Sequence, residues 1–575
     1  MNTTSNLIFF NIDGASLDFV SFRDVEMLNC SNLFLINVKA SFNTITLINI
    51  SIINMIYSAF YVAYIEQNDQ LNFLSPNVFF VNLTNIFIQN CLYQNTLFLF
   101  HTPNKDINLE IKEFAANYSY CQIIFYLGSL STTYKNYQAK FNNITLINMK
   151  GSIKNPGINY FVYLTASIDS ISITNFIAAN CTSIQILHLI TSFNLINLFN
   201  ISISFIAQNN YFLMTVMYRN NYNNLSKMNS VLSIQNMNIK STKISKSVNY
   251  VFVLKTINAP ILLKFSKCYI ENLQASSIFY FESLVFKLFS VEISNLEFYN
   301  VKSFTKWLFF LNFATAPISF GSISNIYIHD SDTFILISLP HMFENIILKN
   351  ITIINIHYNW FYVIGISQKE SRSTNYTKVE MENILFLDVE INNDFGSPMS
   401  SLAFTGFDEL IMQNIFIKNM RNYKLEMQRI ACFGNLGVFR IVIMKNIYFE
   451  QNVWCNLYQV FILKSILYLE VNNFRFNISW NSLPSIRRFQ GLYIINSNNI
   501  TFRNNEFHGL STIERPQYKS EEIGVVAFMA EESYNFPLSG NYSLIIESKI
   551  LIAGRREREE KKDNFIIFLF LFFFF

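Results

Sequence analysis

Short segments in which apolar and polar residues alternate recur along this chain, and most of them are framed by asparagine. The pattern reads Asn, apolar, any, apolar, any, Asn or Asp, as in Asn143-Ile-Thr-Leu-Ile-Asn148. About twelve strict copies occur, although the residue frequencies alone predict roughly two or three. Alternation with a period of two over about five residues predicts a half-buried β-strand. Other copies begin at Asn49, Asn85, Asn295, Asn325, Asn350, Asn383, Asn414 and Asn499.

A second element, a short run of consecutive apolar residues, alternates with the first. Examples are Ile123–Leu127, Tyr250–Leu254 and Trp307–Leu311, and the centres of successive runs lie roughly 25–40 residues apart. Ile, Phe, Tyr and Thr suit a pleated surface, and few stretches carry the apolar stripe of a helix. Asn tolerates left-handed backbone better than most residues, so it can form turns in a chain with 15 Gly among 575 residues. Both elements therefore predict strands joined at Asn corners.

Three architectures compete for this repeat. A leucine-rich-repeat solenoid places Asn after Leu-x-Leu-x-x, whereas here Asn follows apolar-x-apolar-x and no helical half-repeat accompanies it. A protein with several spanning helices needs about twenty apolar residues per span, and these runs are much shorter. The pattern favours the third architecture, an all-β, right-handed parallel β-helix of about 15 coils. Asn side chains at equivalent corners are then expected to form hydrogen-bonded ladders.

This interpretation divides the chain into four segments. They are N-terminal coils or a cap (1–44), the parallel β-helix repeats (45–510), a C-terminal cap or irregular segment (511–554), and a charged flank with a short Phe-rich tail (555–575).

Two features do not follow the simple rhythm of the repeat. Three polar stretches, Arg219–Ser247, Ser367–Lys378 and Asn392–Ser401, are predicted to loop out, as tolerated insertions rather than binding loops. Consecutive apolar residues such as Phe309 and Phe310 are unexpected in a strand with one inward and one outward face. They require either a covered outer face or an exposed hydrophobic stripe.

Residues 45–510 resemble, in the form of their repeat, the pectin-lyase-like right-handed parallel β-helix proteins. The resemblance is especially to Asn- and Ile-rich surface or secreted proteins of protists, whose AT-rich genomes also favour the codons for Asn, Ile, Phe and Tyr. Such a repeat is moderately specific for fold and unspecific for activity. The resemblance implies a β-helix at the cell surface or outside the cell.

Polysaccharide-cleaving β-helix enzymes need clustered carboxylates, which hydrolases use as an acid and a base and lyases use to hold a metal. Hydrolases of the resembled family carry Asn-Thr-Asp, Asp-Asp and His-Gly, but this chain has no Asp-Asp. His508-Gly509 matches one fragment without its partners. The nearest acidic cluster, His329-Asp330-Ser331-Asp332, follows a repeat strand where a polar turn is expected. We therefore predict no catalytic, cofactor-binding or metal-binding residues, and no cofactor.

Single histidines and aromatic residues offer weaker candidates. His101, His188, His341 and His357 stand singly in apolar contexts, so they are expected at core or surface positions. Aromatic rows on a solenoid could stack on sugar rings. The residues of suitable type for that contact are Tyr160, Tyr163, Tyr280 and Trp307, and the alternative is that they pack in the core or between coils.

Composition excludes several classes of protein. The chain is 51% hydrophobic, 16% aromatic and 14% charged, unlike a disordered protein. A net charge of +3 over 575 residues argues against nucleic acid as a partner. The seven cysteines are far apart without a CxxC pair, which predicts small buried side chains rather than a zinc site or disulfide framework. Fourteen Asn-x-Ser/Thr sequons permit N-glycosylation, although chance alone gives about ten.

The chain ends carry signals of their own. Met1–Asn6 lacks the basic region of a signal peptide, so we expect the true start of the protein to lie upstream. Arg555–Asp563 is charged and Phe565–Phe575 is apolar, an order typical of a membrane anchor, but a span needs about 17–25 residues. The tail is a truncated anchor, a weak membrane contact, or translated non-coding sequence.

Two functions are consistent with these features. The first is a non-enzymatic surface or secreted β-helix scaffold that is adhesive or contacts carbohydrate or another surface protein, with membrane contact through the C-terminal tail. The alternative is a polysaccharide lyase or glycoside hydrolase of the same fold, which requires carboxylates brought together from separate coils. Both functions place the protein outside the cell or at its surface.

Overall fold

The structure is a computed structural model, and every regular element among its described residues is a β-strand. None of these residues forms a helix long and apolar enough to cross a membrane. The predicted C-terminal tail, 555–575, lies outside the described residues. The described residues are 7–30, 33–58, 63–67, 78–93, 96–101, 106–128, 137–150, 159–165, 168–181, 184–189, 193–205, 214–219, 230–241, 248–257, 261–283, 289–303, 309–312, 318–333, 335–338, 343–358, 364–367, 376–391, 399–422, 431–451, 459–478, 488–495, 497–508, 524–531 and 544–547.

Strands follow one another along the whole described chain. Those up to Tyr299 are β1 (Leu7–Leu28), β2 (Leu33–Ile53), β3 (Ile56–Ser58), β4 (Ala63–Gln67), β5 (Val78–Gln89), β6 (Leu92–Tyr93), β7 (Thr96–His101), β8 (Asp106–Asn117), β9 (Ile123–Gly128), β10 (Tyr137–Ile147), β11 (Asn159–Leu164), β12 (Ile168–Cys181), β13 (Ile184–Leu189), β14 (Phe193–Phe205), β15 (Met214–Arg219), β16 (Ser230–Ser241), β17 (Val248–Ile257), β18 (Ile261–Glu271), β19 (Gln274–Ser283) and β20 (Phe289–Tyr299). Those that follow are β21 (Lys302–Ser303), β22 (Phe309–Asn312), β23 (Ile318–Thr333), β24 (Ile335–Ser338), β25 (Phe343–Tyr358), β26 (Ile364–Ser367), β27 (Lys378–Leu387), β28 (Glu390–Ile391), β29 (Met399–Lys418), β30 (Arg421–Asn422), β31 (Ala431–Gln451), β32 (Gln459–Ile478), β33 (Arg488–Ile495), β34 (Asn499–Arg503), β35 (Glu506–His508), β36 (Gly524–Glu531) and β37 (Leu544–Glu547).

The chain divides into two compact units, Met1–Glu297 and Phe298–Phe575. In the first unit, β10 pairs in parallel with β8 and β12, while β11 pairs in parallel with β9 and β13. In the second, β25 pairs in parallel with β23 and β27, and β29 with β31. The strands β10, β11 and β25 therefore each lie against their counterparts one coil earlier and one coil later. The predicted all-β fold and parallel β-helix architecture are confirmed.

Parallel pairing also occurs outside the segment 45–510 to which the repeats were assigned. The strand β1 pairs with β2 from Leu7 to Leu28, and near the other end β36 and β37 pair with β33 and β34. The strand β1 carries a looser copy of the repeat, Asp24-Val-Glu-Met-Leu-Asn29, which begins with Asp instead of Asn.

Both asparagines of the repeat pattern occupy left-handed backbone. Asn143 and Asn148 have φ angles of 58° and 51°. Left-handed backbone costs most residues about 1–2 kcal/mol, and Asn adopts it more readily than other side chains. We call these positions the first and second corners. First-corner residues are Asp24, Asn49, Asn85, Glu113, Asn143, Asn175, Asn200, Asn236, Lys267 and Asn295 in the first unit, and Asn325, Asn350, Asn383, Asn414, Asn446, Asn473 and Asn504 in the second.

First-corner side chains form the predicted ladder. In the second unit, each Asn from Asn350 to Asn473 donates its Nδ2–H to Oδ1 of the first-corner residue one coil earlier, over 2.8–3.0 Å. In the first unit the ladder starts with Asp24, whose carboxylate accepts from Asn49 at 2.7 Å. Glu113 and Lys267 occupy first corners there without an amide group. The ladders hold successive coils in register at a surface position.

The burial of the apolar runs explains how consecutive hydrophobic residues fit into one strand. In β9 and β11, two neighbouring side chains are buried, the third is half-buried and the fourth is buried. Phe125 and Phe161 occupy adjacent register positions, yet both rings contact Phe141, so two consecutive positions face the core. No hydrophobic stripe is needed to explain the run. The side chains of Phe309 and Phe310 lie outside the described set.

One predicted loop is wrong in part. Within Arg219–Ser247, residues Ser230–Ser241 form β16, which pairs with β14 and β18 and supplies the first corner Asn236. Its apolar residues, Leu232, Ile234 and Ile239 among them, are buried in the core although polar residues flank the strand. For the other predicted loops, residues 368–375 and 392–398 lie outside the described set.

Four cysteines are small core residues, as the sequence predicted. Cys91, Cys121, Cys181 and Cys268 are each at most 3% exposed and carry free thiols. Burial raises the pKa of Cys181 to about 11 and that of Cys268 to about 12, because the thiolate is poorly solvated there. Cys30 is partly exposed, and the side chains of Cys432 and Cys455 lie outside the described set.

Candidate functional site

A row of stacked rings lies on the apolar-run strands of the first unit. Tyr126 and Tyr163 are neighbours in register, with ring centroids 5.5 Å apart and planes at 12°. His188 follows one coil later, 4.8 Å from Tyr163 and at 17° to it. Tyr160 meets both Tyr163 and His188 edge-on at 5.2 Å. We call these four residues the aromatic row.

Half-burial changes how two members of the aromatic row, His188 and Tyr163, titrate. Desolvation lowers the pKa of His188 to about 4, so its imidazole is neutral near pH 7. Its Nδ1 lies 3.3 Å from Nε2 of Gln185. Desolvation, and to a lesser extent the neighbouring Tyr126, raises the pKa of Tyr163. His188 and Tyr163 are therefore uncharged at physiological pH.

The low pKa of His188 predicts a pH-dependent stability. The unfolded imidazole titrates near pH 6.5, so between about pH 6.5 and 4 the unfolded chain binds a proton that the folded chain does not. Stability is full above this window and falls as the pH drops through it, by about 1–2 kcal/mol after allowance for solvent screening. His188→Phe, which keeps a stacked ring, is expected to flatten this part of the profile in urea unfolding. An unchanged slope would contradict the assignment.

Stacking within the row limits its use as a sugar platform. Both ring faces of Tyr163 are occupied, one by Tyr126 and the other by His188. A sugar that stacks on an aromatic side chain needs a free face. Tyr280 is aligned with Tyr163 and His188 but is separated from them by Thr215 and Val253. Of the predicted aromatic candidates, Tyr160 and Tyr163 meet in a packing contact, and Trp307 lies outside the described residues.

The acidic cluster His329-Asp330-Ser331-Asp332 lies at a second corner of the second unit. Asp330 is left-handed, with a φ of 50°, and accepts a hydrogen bond from Asn355 one coil later. That bond, followed by His329, lowers the pKa of Asp330. Ser331 is buried and its Oγ donates to the carbonyl of His329 at 2.9 Å. The cluster forms a corner held by coil-to-coil contacts, as a polar turn requires.

The remaining histidine candidates are scattered. His357 is exposed and its Nδ1 lies 2.8 Å from Oε2 of Glu390. His101 and His508 lie in strands, but their side chains are outside the described set, as are His341 and Gly509.

One polar network that the motifs do not reveal joins three coils of the second unit. Tyr376 donates to Oε2 of Glu409 at 2.9 Å, and desolvation together with this bond raises the pKa of the phenol. Asp408 accepts from the amide and hydroxyl of Thr377 at 2.9 and 3.0 Å. Arg440, one coil later, lies 3.7 Å from the second oxygen of Asp408. The adjacent carboxylates Asp408 and Glu409 were the available signal, but only the register shows which partners meet.

Several outer-face carboxylates elsewhere pair with cations of neighbouring coils. Lys349 lies 2.8 Å from Glu382, and this contact raises the pKa of the lysine. The pairs Lys264–Glu292 and Lys418–Glu450 repeat the arrangement at 3.1 and 3.3 Å. Within the described part of the chain, no three His, Cys, Asp or Glu side chains lie together as metal ligands would.

Comparison with known proteins does not assign the chain to a family. No protein-family model, curated protein or solved structure matches it. The resemblance to pectin-lyase-like proteins therefore stays a prediction from the repeat.

Proposed function

We propose that this protein is a non-enzymatic β-helix scaffold of pectin-lyase-like type, exposed at the cell surface or secreted, that makes adhesive or carbohydrate contacts. The regular stacking of coils supports this proposal. Solenoids present extended surfaces on which side chains of successive repeats line up, and binding is the usual role of such surfaces. Membrane attachment through residues 555–575 belongs to the same proposal.

The observation that carries the proposal is how the outer polar groups are used. Ladder amides bond to the next coil, Lys349 pairs with Glu382, and Asp408 bonds to Thr377. A catalytic acid or base instead needs a perturbed carboxyl that faces substrate. Carboxylates that already bond to groups of a neighbouring coil stabilise a scaffold, and they are poorly placed to act as a general acid or base.

The proposal is tested with the full chain immobilised on beads. We expect retention on cells or polysaccharide-coated surfaces well above that of beads carrying an unrelated protein of similar charge. The same preparation, incubated with the polysaccharides it binds, should release neither new reducing ends nor unsaturated sugars. Binding without product supports the scaffold, and product formation that tracks the purified protein would overturn it.

A second candidate, the polysaccharide lyase or hydrolase, is favoured by the network of Tyr376, Asp408, Glu409 and Arg440. In this network, residues of three successive coils bring together a phenol, two carboxylates and a guanidinium group. If the protein cleaves a polysaccharide there, Glu409→Gln should lower turnover at least a hundredfold, since general acid–base groups contribute about 10²–10⁴-fold. Glu450→Gln, which removes a carboxylate paired with Lys418, is the matched control. Equal loss in both variants would assign the effect to folding.

A further inference from the structure

A polar cavity of about 290 Å³ opens on the short face between the two corners of the first unit. Three successive coils contribute to it, with Ser202 and Ser204 from β14, Asn238 and Lys240 from β16, and Glu271 from β18. The register aligns Ser202 with Asn238, and Ser204 with Lys240 and Glu271. Because serine is small, the face is recessed at this coil.

The corner pattern changes at the same place. The second corner is left-handed at Asn180 and at Asn272, but Phe205 aligns with Cys181, the residue after that corner, and Ser241 aligns with Phe205. The register therefore skips the corner residue in the two intervening coils, where the cavity opens. Elsewhere this face carries larger side chains, such as Ile177 in the preceding coil, which is 48% exposed.

The charged groups of the cavity are already held in position. Nζ of Lys240 lies 3.0 Å from Oε2 of Glu271 and 5.0 Å from the ring centre of Tyr269. Oε1 of Glu271 accepts from Nδ2 of Asn272 at 3.3 Å. An ammonium group has three donors, and a carboxylate has about four acceptor positions, so both retain capacity for a ligand. Preorganised polar groups lose little entropy when they bind.

An unmet acceptor adds to this arrangement. Oδ1 of Asn238 is buried and has no hydrogen-bond partner among the described residues. A buried acceptor without a donor costs about 1–3 kcal/mol, and a rotation of the Asn238 side chain that turned Oδ1 toward the cavity would let a ligand hydroxyl group recover it. This atom provides a reason for the site to take up a hydrogen-bond donor.

We propose that this cavity binds one ring of a neutral saccharide. The inference rests on the proposed carbohydrate contact and names its site. A sugar hydroxyl can donate to Asn238 or Glu271 while it accepts from Lys240 or a serine. The adjacent positive and negative charges nearly cancel, so neither an anion nor a cation is favoured, and an apolar ligand would leave these groups unpaired. A volume near the lower end of small-molecule sites, roughly 300–1,000 Å³, suits one ring of a longer chain.

The test measures binding of disaccharides to the full-length protein by calorimetry. The probes are cellobiose and N,N′-diacetylchitobiose, which are neutral, and digalacturonate, which is anionic. We expect a neutral probe to bind, and Lys240→Met and Glu271→Gln each to weaken it at least tenfold. The matched controls are Lys112→Met and Glu110→Gln, which remove a 2.9 Å ion pair on β8 of the same unit and should leave affinity unchanged.

Each other outcome overturns the inference in a distinguishable way. Neutral binding that survives Lys240→Met and Glu271→Gln would place carbohydrate elsewhere and leave the proposed function intact. Preference for digalacturonate would exclude a neutral ligand at this cavity. If neither neutral probe binds while the beads still adhere to cells, the saccharide site is wrong and the adhesive scaffold stands. If both assays fail, both proposals fall.

Discussion

Replacing Phe125 by Ala is expected to remove about 3–5 kcal/mol of local stability from the first unit, the largest effect of any single change considered for this protein. Phe125 is fully buried at the centre of an aromatic cluster. Its ring centroid lies 5.2 Å from those of Phe98 and Phe114, and 5.4 Å from those of Phe141 and Phe161. The substitution removes one ring and leaves four others facing a cavity.

Coil stacking makes this loss local but not confined to one coil. The partners of Phe125 belong to the preceding, the same and the following coil, through β7 to β11. Stability of a solenoid is approximately a sum of repeat and neighbour-interface contributions, so a cavity here weakens two interfaces at once. Edge-to-face and offset ring pairs contribute about 0.5–1.5 kcal/mol beyond their buried area, which places the effect toward the upper part of the range.

The measurement is native-state hydrogen exchange, read peptide by peptide along the first unit. Protection should fall most in β7 to β11 and least in β16 to β18. Phe125→Leu, which refills much of the volume, should cost about 1–2 kcal/mol. The surface control is Phe199→Ala, because Phe199 is 43% exposed and its loss should cost less than about 0.5 kcal/mol. If Phe125→Ala cost no more than this control, the ring cluster would not be the core of these coils.

The corners were predictable from the sequence because left-handed backbone is a local requirement. Asn350 and Asn355 have φ angles of 53° and 51°, and the residue type alone indicated a turn at each. The same logic fails at Glu113 and Lys267, which adopt φ angles of 56° and 55°. Neighbouring coils turn at these positions, so the tertiary register imposes the conformation on residues that do not favour it.

A third set of corners carries no asparagine signal at all. Gly406, Val438 and Ser465 are left-handed, with φ angles of 84°, 60° and 54°, at aligned positions of β29, β31 and β32. Left-handed φ is exceptional for a β-branched residue such as Val438. No repeat pattern based on Asn could locate this corner, because the residues there share a conformation and not a chemistry.

Candidate surfaces were harder to predict than the fold, since they depend on register between distant residues. Tyr163 and His188 stack although they are 25 positions apart, while Tyr376 reaches Glu409 across 33. The numbers of residues between aligned strands differ from coil to coil, and a shift of one residue would exchange inward and outward faces. Sequence therefore indicated the types of residue involved but not which of them meet.

Breaking the ladder of the second unit at Asn383 is expected to have the second largest effect, about 2–3 kcal/mol for Asn383→Ala. Asn383 donates to Asn350 at 3.0 Å and accepts from Asn414 at 2.8 Å. Two exposed hydrogen bonds contribute about 0.5–1 kcal/mol each, and a left-handed Ala adds about 1 kcal/mol of backbone strain. The change should appear as faster hydrogen exchange in β25, β27 and β29.

Two further variants separate the contributions of the amide and the backbone. Asn383→Gly removes both hydrogen bonds but adopts left-handed φ readily, so it should cost about 1 kcal/mol less than Ala. Asn383→Asp keeps the acceptor for Asn414 but sets a carboxylate oxygen against Oδ1 of Asn350, so it should cost more than Gly, which removes the donor without adding a second acceptor. Asn477→Ala, at an exposed Asn of β32 outside the corners, is the matched control and should be nearly neutral. If Asn383→Ala and Asn383→Gly lost the same free energy of unfolding, backbone strain would not be a reason for the asparagine. If no variant lost stability, the stacked coils would not depend on their amide ladder.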